Sequence, residues 1–261
     1  MKFLIPVITF LAGFSAHATP TKILFIGDSH SVATFGPFGI KMNELLRSLP
    51  NTDVTTHARC GSIIEWWYTG HATTCGFFDE TPAGQKQPID YKNVTAPTPL
   101  IVPILESLLP NLIVVETGGN YLGLNNLEYV KKDIGNLILE ISKLKTPINW
   151  FIASLLPAPK VECVWVGPPA HRIPQDPKAS IEANAKMAAD FKEKMAALVL
   201  AIKGTVEPTC EFFDSTQVTD YPLIGGDGTH YSFPVGIPIA NSWAEKAFEV
   251  VKPHYTRVSG N

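Results

Sequence analysis

Short apolar runs alternate with longer amphipathic stretches along most of the chain. Apolar runs rich in β-branched and aromatic residues predict buried strands at residues 22–26, 112–115, 163–166 and 211–213, with a weaker strand at 53–56. Helical patterns, in which apolar side chains share one face, cover residues 40–49, 128–144, 181–202 and about 238–251. Strands that alternate with helices predict an α/β fold, a three-layer αβα sandwich with a central parallel sheet of about five strands.

Two stretches do not fit this alternation. Residues 148–156 are apolar but short, so their pattern suits either a strand or a buried helix that continues the preceding element. Residues 70–110 contain many prolines, glycines and polar side chains, which predict an ordered excursion over the surface. Long loops of this kind in a compact domain are usually functional or mobile.

The first 18 residues have the composition of a secretory signal. Lys2 precedes an apolar stretch at residues 3–14, and Ala16-His17-Ala18 matches a cleavage site, so we expect cleavage after Ala18. A membrane anchor is the alternative, but spanning a bilayer takes about 20 apolar residues and this stretch is shorter. We therefore predict an exported protein, periplasmic or extracellular, without an integral membrane segment in the mature chain.

Composition favours one domain over residues 19–261. The chain has 261 residues, of which 45% are hydrophobic and 17% charged, as in globular proteins with a sizeable core. The formal net charge of the full chain is -3, and a nucleic-acid partner would require a basic face. We therefore expect no nucleic-acid binding, and the sequence does not indicate an oligomeric state.

Four cysteines in an exported chain predict two disulfides, and three pairings are possible. A bond between Cys60 and Cys75 would close a local loop, whereas a bond between Cys163 and Cys210 would join two late segments. The alternative is a zinc site, because zinc accepts a mixture of nitrogen and sulfur ligands such as His57, Cys60, His71 and Cys75. The irregular spacing and the oxidising compartment favour disulfides over a metal site.

A serine follows the first predicted strand directly, in Gly27-Asp28-Ser29-His30-Ser31. A serine hydroxyl is a poor nucleophile until a base accepts its proton, and the base needs a third group to hold its tautomer. Asp227-Gly228-Thr229-His230, near the other end of the chain, supplies a carboxylate and an imidazole three residues apart. We therefore predict that Ser29, His230 and Asp227 form a nucleophile, base and orienting acid.

Acyl transfer also requires hydrogen-bond donors for the developing oxyanion. Asn120 follows the predicted strand at residues 112–115, in Gly118-Gly119-Asn120, and is one candidate donor. The backbone amide of Gly61 is another, because glycine allows a substrate to approach the backbone closely.

Four short motifs in this order resemble those of the SGNH hydrolase superfamily, also called GDSL-like esterases. The motifs are Gly-Asp-Ser-His at Ser29, Arg-Cys-Gly-Ser at Gly61, Gly-Gly-Asn-Tyr at Asn120 and Asp-Gly-Thr-His at His230. The resemblance implies a flavodoxin-like sheet, a Ser29, His230 and Asp227 triad, and no cofactor. It further implies an oxyanion hole made by the Ser29 N–H, the Gly61 N–H and the Asn120 side chain. His30 and Tyr121 stand where the family often has leucine and aspartate, and His30 is expected at the surface or behind the triad.

The residues that could contact a substrate carry a weaker signal than the triad. Three aromatic side chains close to Gly61 or Asn120 can either stack on sugar rings or pack in the core: Trp66, Trp67 and Tyr121. Arg172 can either hold a substrate carboxylate or remain a solvated loop charge. With export and a serine triad, these features predict an esterase that removes O-acetyl groups from a carbohydrate, with an acylated small molecule or polysaccharide as its partner. The alternatives are a lipolytic esterase, lysophospholipase or thioesterase, an acyltransferase, or a glycan-binding protein without catalysis.

Overall fold

The computed structural model describes residues 19–32, 36–82, 95–145 and 160–259. The predicted signal at residues 1–18 and the ambiguous segment at 148–156 lie outside the described residues. The prediction of a single domain over residues 19–261 stays a prediction.

Within the described ranges, six strands form the central sheet, in the order β4-β2-β1-β6-β7-β8. All neighbours are parallel except β4, which pairs antiparallel with β2 at one edge. A separate two-stranded antiparallel sheet joins β3 and β5. The strand bounds are β1 Thr21–Gly27, β2 Thr52–Arg59, β3 Ala72–Thr73, β4 Phe77–Glu80, β5 Ala96–Pro97, β6 Leu112–Glu116, β7 Glu162–Val166 and β8 Glu211–Phe213.

All five predicted strands are confirmed, and they are the five parallel strands of the sheet. The sixth strand, β4, adds an antiparallel edge, so the sheet has six strands where about five were expected. This strand belongs to residues 70–110, which were predicted to be a surface excursion. The described part of that stretch also contains β3, β5 and a helix, because short elements among prolines carry little periodic signal.

Helices cover both faces of the sheet. Their bounds are α1 Pro37–Arg47, α2 Trp66–Thr69, α3 Ile101–Leu108, α4 Leu127–Lys145, α5 Ile181–Val206 and α6 Gly236–Ser259. The four predicted helices correspond to α1, α4, α5 and α6, whereas α2 and α3 were missed. Helices α4 and α5 bury apolar side chains in one core cluster, and α1 and α6 bury theirs in another.

The two cores lie on opposite faces of the sheet. Leu24 and Ile26 of β1 belong to the cluster with α4 and α5, whereas Ile23 and Phe25 belong to the cluster with α1 and α6. This alternation follows from the two-residue period of a strand. Because both faces are covered, β6 is buried along its whole length and reads as a nearly continuous apolar run. The three-layer prediction is confirmed.

Helices α1 and α6 join early and late parts of the chain. The ring of Phe38 in α1 stacks on the indole of Trp243 in α6, with 3.8 Å between centroids. Both side chains are buried, and the Trp243 indole N–H donates a hydrogen bond to Ser215 Oγ at 2.8 Å. Burial of two large aromatic rings contributes strongly to the contact between these helices.

The strand register brings three loops to one edge of the sheet. Gly27, at the end of β1, lies beside Ala58 of β2 and Glu116 of β6. From β1 the chain passes to β2 on one side, and the next parallel strand, β6, lies on the other side. Open α/β sheets bind ligands at the carboxyl ends of strands where the order reverses in this way. Ser29 follows β1 at this position.

Two disulfides are present, Cys60–Cys75 and Cys163–Cys210. The first lies beside Gly61, and the second ties β7 to the residue before β8. The zinc alternative is wrong, because the sulfurs of Cys60 and Cys75 are bonded to each other and are not available as thiolates. His57 instead contacts Asp79, with 2.6 Å between Nδ1 and Oδ1.

Across the described ranges, none of the helices combines the length and the apolar character that crossing a bilayer requires.

Candidate active site

Ser29 and His230, 201 residues apart in the chain, are in hydrogen-bond contact. Ser29 opens a short 3-10 turn, Ser29–Ser31, that directly follows β1 and whose three residues are buried. The distance from Ser29 Oγ to His230 Nε2 is 2.8 Å, and His230 Nδ1 lies 2.6 Å from Asp227 Oδ2. An ionised carboxylate only accepts hydrogen bonds, so Nδ1 donates and Nε2 is left to accept the serine proton. The three side chains are therefore arranged for proton transfer from the hydroxyl.

The Asp227 carboxylate is held by its own loop. Its Oδ1 accepts hydrogen bonds from the backbone N–H groups of Thr229 and His230, both at 2.8 Å, while Oδ2 faces the imidazole. Partial burial disfavours its charge. The hydrogen bonds from the His230 ring and from the two backbone groups outweigh that effect and lower the pKa of Asp227 to about 2. The group is therefore ionised throughout the usual working range of pH.

The loop that carries Asp227 and His230 closes on the hydroxyl of Tyr221. This buried hydroxyl accepts a hydrogen bond from Gly228 N–H at 2.9 Å and donates one to the main-chain oxygen of His230 at 3.0 Å. It therefore links the two sides of the turn between Asp227 and His230. Sequence analysis missed Tyr221, because nothing in the local pattern indicates which tyrosine reaches this loop.

We expect Tyr221→Phe to lower kcat for the predicted ester hydrolysis by about tenfold. Without the hydroxyl, the loop is held less firmly and the His230 imidazole moves away from Ser29. The matched control is Tyr255→Phe, since the Tyr255 hydroxyl is also buried and donates to a carbonyl, that of Pro50. Both variants should lose about 1–3 kcal/mol of unfolding free energy through an unpaired polar group. Steady-state kinetics and thermal unfolding check this. An equal loss of kcat in both variants would contradict a specific effect of Tyr221 on the site.

Arg172 also contacts the loop that contains Asp227 and His230. Its backbone N–H donates to the Gly228 carbonyl at 2.8 Å, its Nη2 donates to the Gly225 carbonyl, and its guanidinium lies 5.2 Å from the centre of the Tyr221 ring. These contacts hold the segment on which Asp227 lies. Arg172 also lines the cavity beside Asp227, and its role in holding a substrate carboxylate stays a prediction.

The two other predicted oxyanion donors follow the strands that flank β1. Gly61 comes two residues after β2 and has a φ of 78°, a left-handed conformation that strains any residue with a Cβ. Asn120 lies in a 3-10 turn after β6, and its Nδ2 donates to the Ser62 carbonyl at 2.9 Å and to Asp28 Oδ2 at 3.4 Å. The asparagine thus connects the loops after β2 and β6 on either side of Ser29. The roles of Gly61 and Asn120 in an oxyanion hole stay predictions.

Only one of the three candidate aromatic contacts has a partly exposed side chain. Trp66 is half-buried and packs on His71, with 4.2 Å between ring centroids. Trp67 and Tyr121 are buried in the core, and the Tyr121 hydroxyl donates to Asp133 at 2.6 Å. We therefore correct the prediction that Trp67 and Tyr121 contact substrate, because their surface is used in packing.

Two further histidines surround His230. His30 is buried, with its ring centroid 5.3 Å from that of His230 and 6.1 Å from that of His171, so its expected place behind the triad fits and a surface place does not. Burial, followed by the positive charge that His230 can carry, lowers the pKa of His30 well below its usual range and that of His171 to about 4. Both rings are therefore neutral near pH 7, and among the described residues the imidazole that bonds to Ser29 is that of His230.

A cavity of about 890 Å³ opens beside Asp227. Its lining combines side chains from the segment after β7, from α5 and from the loop before Asp227, including His171, Phe191, Leu223 and Ile224. Leu223 and Ile224 are 80% and 87% exposed, although both are large and apolar. An apolar edge therefore borders one side of the candidate site.

Searches for related proteins give structural similarities alone. No protein-family model matches the sequence, and no curated protein matches it. The similar solved structures include an aryl esterase from M. smegmatis, with a TM-score of 0.48 and 13% identity over 89% of this chain and 99% of that chain. They also include a carbohydrate acetylesterase from Sinorhizobium meliloti, with a TM-score of 0.47 and 15% identity over 88% of this chain and 99% of that chain. A family 3 carbohydrate esterase from Clostridium thermocellum has a TM-score of 0.47 and 16% identity over 90% of this chain and 98% of that chain.

Proposed function

We propose that this protein is a serine ester hydrolase of the SGNH type that removes O-acetyl groups from a carbohydrate, either a cell-wall glycan or another polysaccharide. One observation carries the hydrolase part: the continuous hydrogen-bonded series from Asp227 through His230 to Ser29 at the carboxyl end of β1. A nucleophile, a base and an orienting acid in contact are the minimum set for acyl transfer through serine.

The proposed reaction has two halves. Ser29 Oγ attacks the ester carbonyl while His230 Nε2 accepts the hydroxyl proton, and Asp227 stabilises the imidazolium that forms. The tetrahedral intermediate then collapses: the bond from the carbonyl carbon to the sugar oxygen breaks, His230 donates its proton to that oxygen, and an acyl-serine remains. A water molecule, deprotonated by the same imidazole, attacks this ester, and His230 returns the proton to Ser29 Oγ as the acid departs.

The oxyanion of each intermediate would be held by the N–H groups of Ser29 and Gly61 and by the Asn120 side chain. Support comes from the position of these groups in the loops after three adjacent strands, and from the Asn120 contact with the loop that contains Ser62. The loss of one such donor typically lowers kcat by about 10²- to 10³-fold.

A carbohydrate substrate is supported by the half-buried Trp66, whose ring lies next to Gly61. Flat aromatic surface beside an ester-cleaving serine suits stacking on a sugar ring. Export to the periplasm or the cell exterior, after removal of residues 1–18, fits the two disulfides, since disulfides persist in oxidising compartments. An acetylated polysaccharide would be accessible there.

A lipolytic esterase or thioesterase is the second candidate, and the exposed Leu223 and Ile224 favour it. These two side chains border the cavity beside Asp227, where an acyl chain longer than acetyl could bury their apolar surface. A glycan-binding protein without catalysis would bind the same sugars without turnover, and an acyltransferase would use the same serine with a sugar as acceptor.

We expect the purified protein to release acetate from at least one member of a panel of acetylated glycans. A series of p-nitrophenyl esters, from acetyl to long-chain acyl, separates the first candidate from the second. Activity should be highest with acetyl and fall as the chain lengthens. Cleavage of long-chain esters without acetate release from any glycan would transfer the assignment to the lipolytic candidate. Product analysis with an added sugar acceptor detects acyl transfer.

A further inference from the structure

Two carboxyl groups are buried side by side behind Ser29. Asp28 immediately precedes the nucleophile and is 1% exposed, and Glu116 ends the neighbouring strand β6 and is 0% exposed. The backbone N–H of Asp28 donates to the main-chain oxygen of Glu116 at 3.1 Å, so the two residues lie at the same level of the sheet. Neither group takes a step in the reaction proposed above.

The hydrogen bonds of Glu116 leave one of its oxygens without a donor. Its Oε2 accepts from Ser31 Oγ at 2.7 Å and from the Asp28 N–H at 3.4 Å. Its Oε1 is buried and has no donor among the described residues. The two carboxyl groups are nevertheless neighbours, because Glu116 Oε2 lies 3.4 Å from the Asp28 backbone nitrogen. Two ionised carboxylates cannot bond to each other, since each is an acceptor without a proton, whereas a protonated carboxyl group can donate to an ionised one.

We propose that Asp28 and Glu116 share one proton, carried by Glu116 and donated to Asp28, and that this acid pair is a positioning unit for the candidate active site. The shared proton leaves one negative charge in this buried space, where two would be very unfavourable. An oxygen without a donor is also less unfavourable on a neutral acid than on a buried carboxylate, which suits the unpartnered Oε1 of Glu116.

The charges around the pair agree with this assignment. Burial raises the pKa of Glu116 well above its ordinary value of 4.5, and the nearby Asp28 charge raises it further. Burial also raises the pKa of Asp28, to about 6, although the hydrogen bond from the His30 N–H, the positive charge that His230 can carry and the hydrogen bond with Glu116 oppose the increase. The ring of the neighbouring His30 is neutral, because burial lowers its pKa. The proton therefore belongs on Glu116 first.

The Asp28 and Glu116 pair contacts loops on both sides of the candidate active site. The Asp28 carboxylate accepts from the His30 N–H at 3.0 Å, which fixes the turn that begins at Ser29, and from Asn120 Nδ2 at 3.4 Å. Glu116 fixes the same turn through Ser31. Ionisation of both carboxyl groups would push these loops apart, so the pair sets the distance between the nucleophile and the proposed oxyanion donor.

The first test measures folding and is independent of any esterase activity. An acid with a raised folded-state pKa stabilises the protein fully below its unfolded pKa, and this stabilisation is lost as the pH rises through the folded value. Glu116→Gln cannot titrate, and its amide can donate to Asp28 as the shared proton does. We therefore expect the Tm of E116Q minus that of the wild type to increase by about 3 °C or more between about pH 5 and about pH 8.

The matched control is Glu80→Gln. Glu80 is a second buried glutamate, 3% exposed, but it pairs with Arg47 at 3.1 Å and with Asn43, outside the site. The Tm of E80Q minus that of the wild type should not increase between about pH 5 and about pH 8. A flat or falling difference for E116Q would mean that Glu116 carries no excess proton, and it would overturn the shared-proton assignment.

The second test concerns positioning and rests on the proposed ester hydrolysis. Glu116→Ala should lower kcat by up to about 100-fold, because the turn that begins at Ser29 loses its contact with Glu116 through Ser31, with a smaller change in KM. E116Q should restore kcat to within about threefold of the wild type, since it keeps the donor. Equal losses in both variants would overturn the positioning role. A protein inactive on every ester would refute the proposed function and leave the Tm comparison to decide on the shared proton.

Discussion

We expect Ser29→Ala to lower kcat for ester hydrolysis by about 10⁴- to 10⁶-fold, the range for removal of the nucleophile from a serine hydrolase. The physical reason is that His230 then has no hydroxyl to deprotonate, and direct attack by water retains only the help of the oxyanion donors. Acetate release from the active glycan, or p-nitrophenol release, measures the effect. Mass spectrometry after treatment with an organophosphonate should find the adduct on Ser29 of the wild type and none on the variant.

Ser107→Ala is the control for this substitution. Ser107 is an exposed serine of α3 whose hydroxyl bonds only to the local carbonyl of Ile104 among the described residues, so its loss should change kcat by less than about twofold. The Tm of both variants should stay close to that of the wild type. If S29A keeps more than about one tenth of the activity, another group is the nucleophile and the triad is incorrectly assigned.

Asp227→Asn lowers kcat by about 10⁴-fold, the second largest effect that we expect. An asparagine amide can donate to Nδ1, which favours the tautomer with its proton on Nε2, and that imidazole cannot accept from Ser29. The variant also loses the carboxylate that stabilises the imidazolium. Because the pKa of Asp227 is about 2, the wild-type group stays ionised down to strongly acidic pH and adds no acid limb of its own near neutrality.

Asp220→Asn is the matched control, since Asp220 is an exposed carboxylate on the same loop before Asp227. It should change kcat by less than about threefold. The pH profiles of kcat for D227N and D220N, measured on the same ester, separate loss of the triad carboxylate from a general change of charge near the site. Similar losses in both variants would contradict the role of Asp227 in orienting His230.

The pattern of the sequence predicts the parallel part of the sheet well. Strands such as β1 and β6 are covered on both faces, and this environment selects the continuous apolar runs that the sequence displays. The edge strand β4 has four residues and pairs on one side only, with β2, so it needs no such run. It was missed for that reason, together with the short helices α2 and α3.

The candidate site divides in the same way. Ser29, Asp227 and His230 lie in short motifs whose residue types reveal their chemistry, and the fold brings all three together. Glu116 and Tyr221 have no motif. Their contacts depend on how separate loops meet, and a glutamate at the end of an apolar run gives no sign of the carboxyl group opposite it. The buried Tyr121 hydroxyl likewise bonds to a residue of another element, Asp133 of α4.

The packing of α1 on α6 has a consequence for the order in which activity arises. Ser29 precedes α1, whereas His230 lies just before α6, and the stacked rings of Phe38 and Trp243 join the two regions. We therefore expect the chain to act on esters only after α6 has docked on α1. A truncation that removes α6 should abolish esterase activity even though Ser29, Asp227 and His230 are all retained.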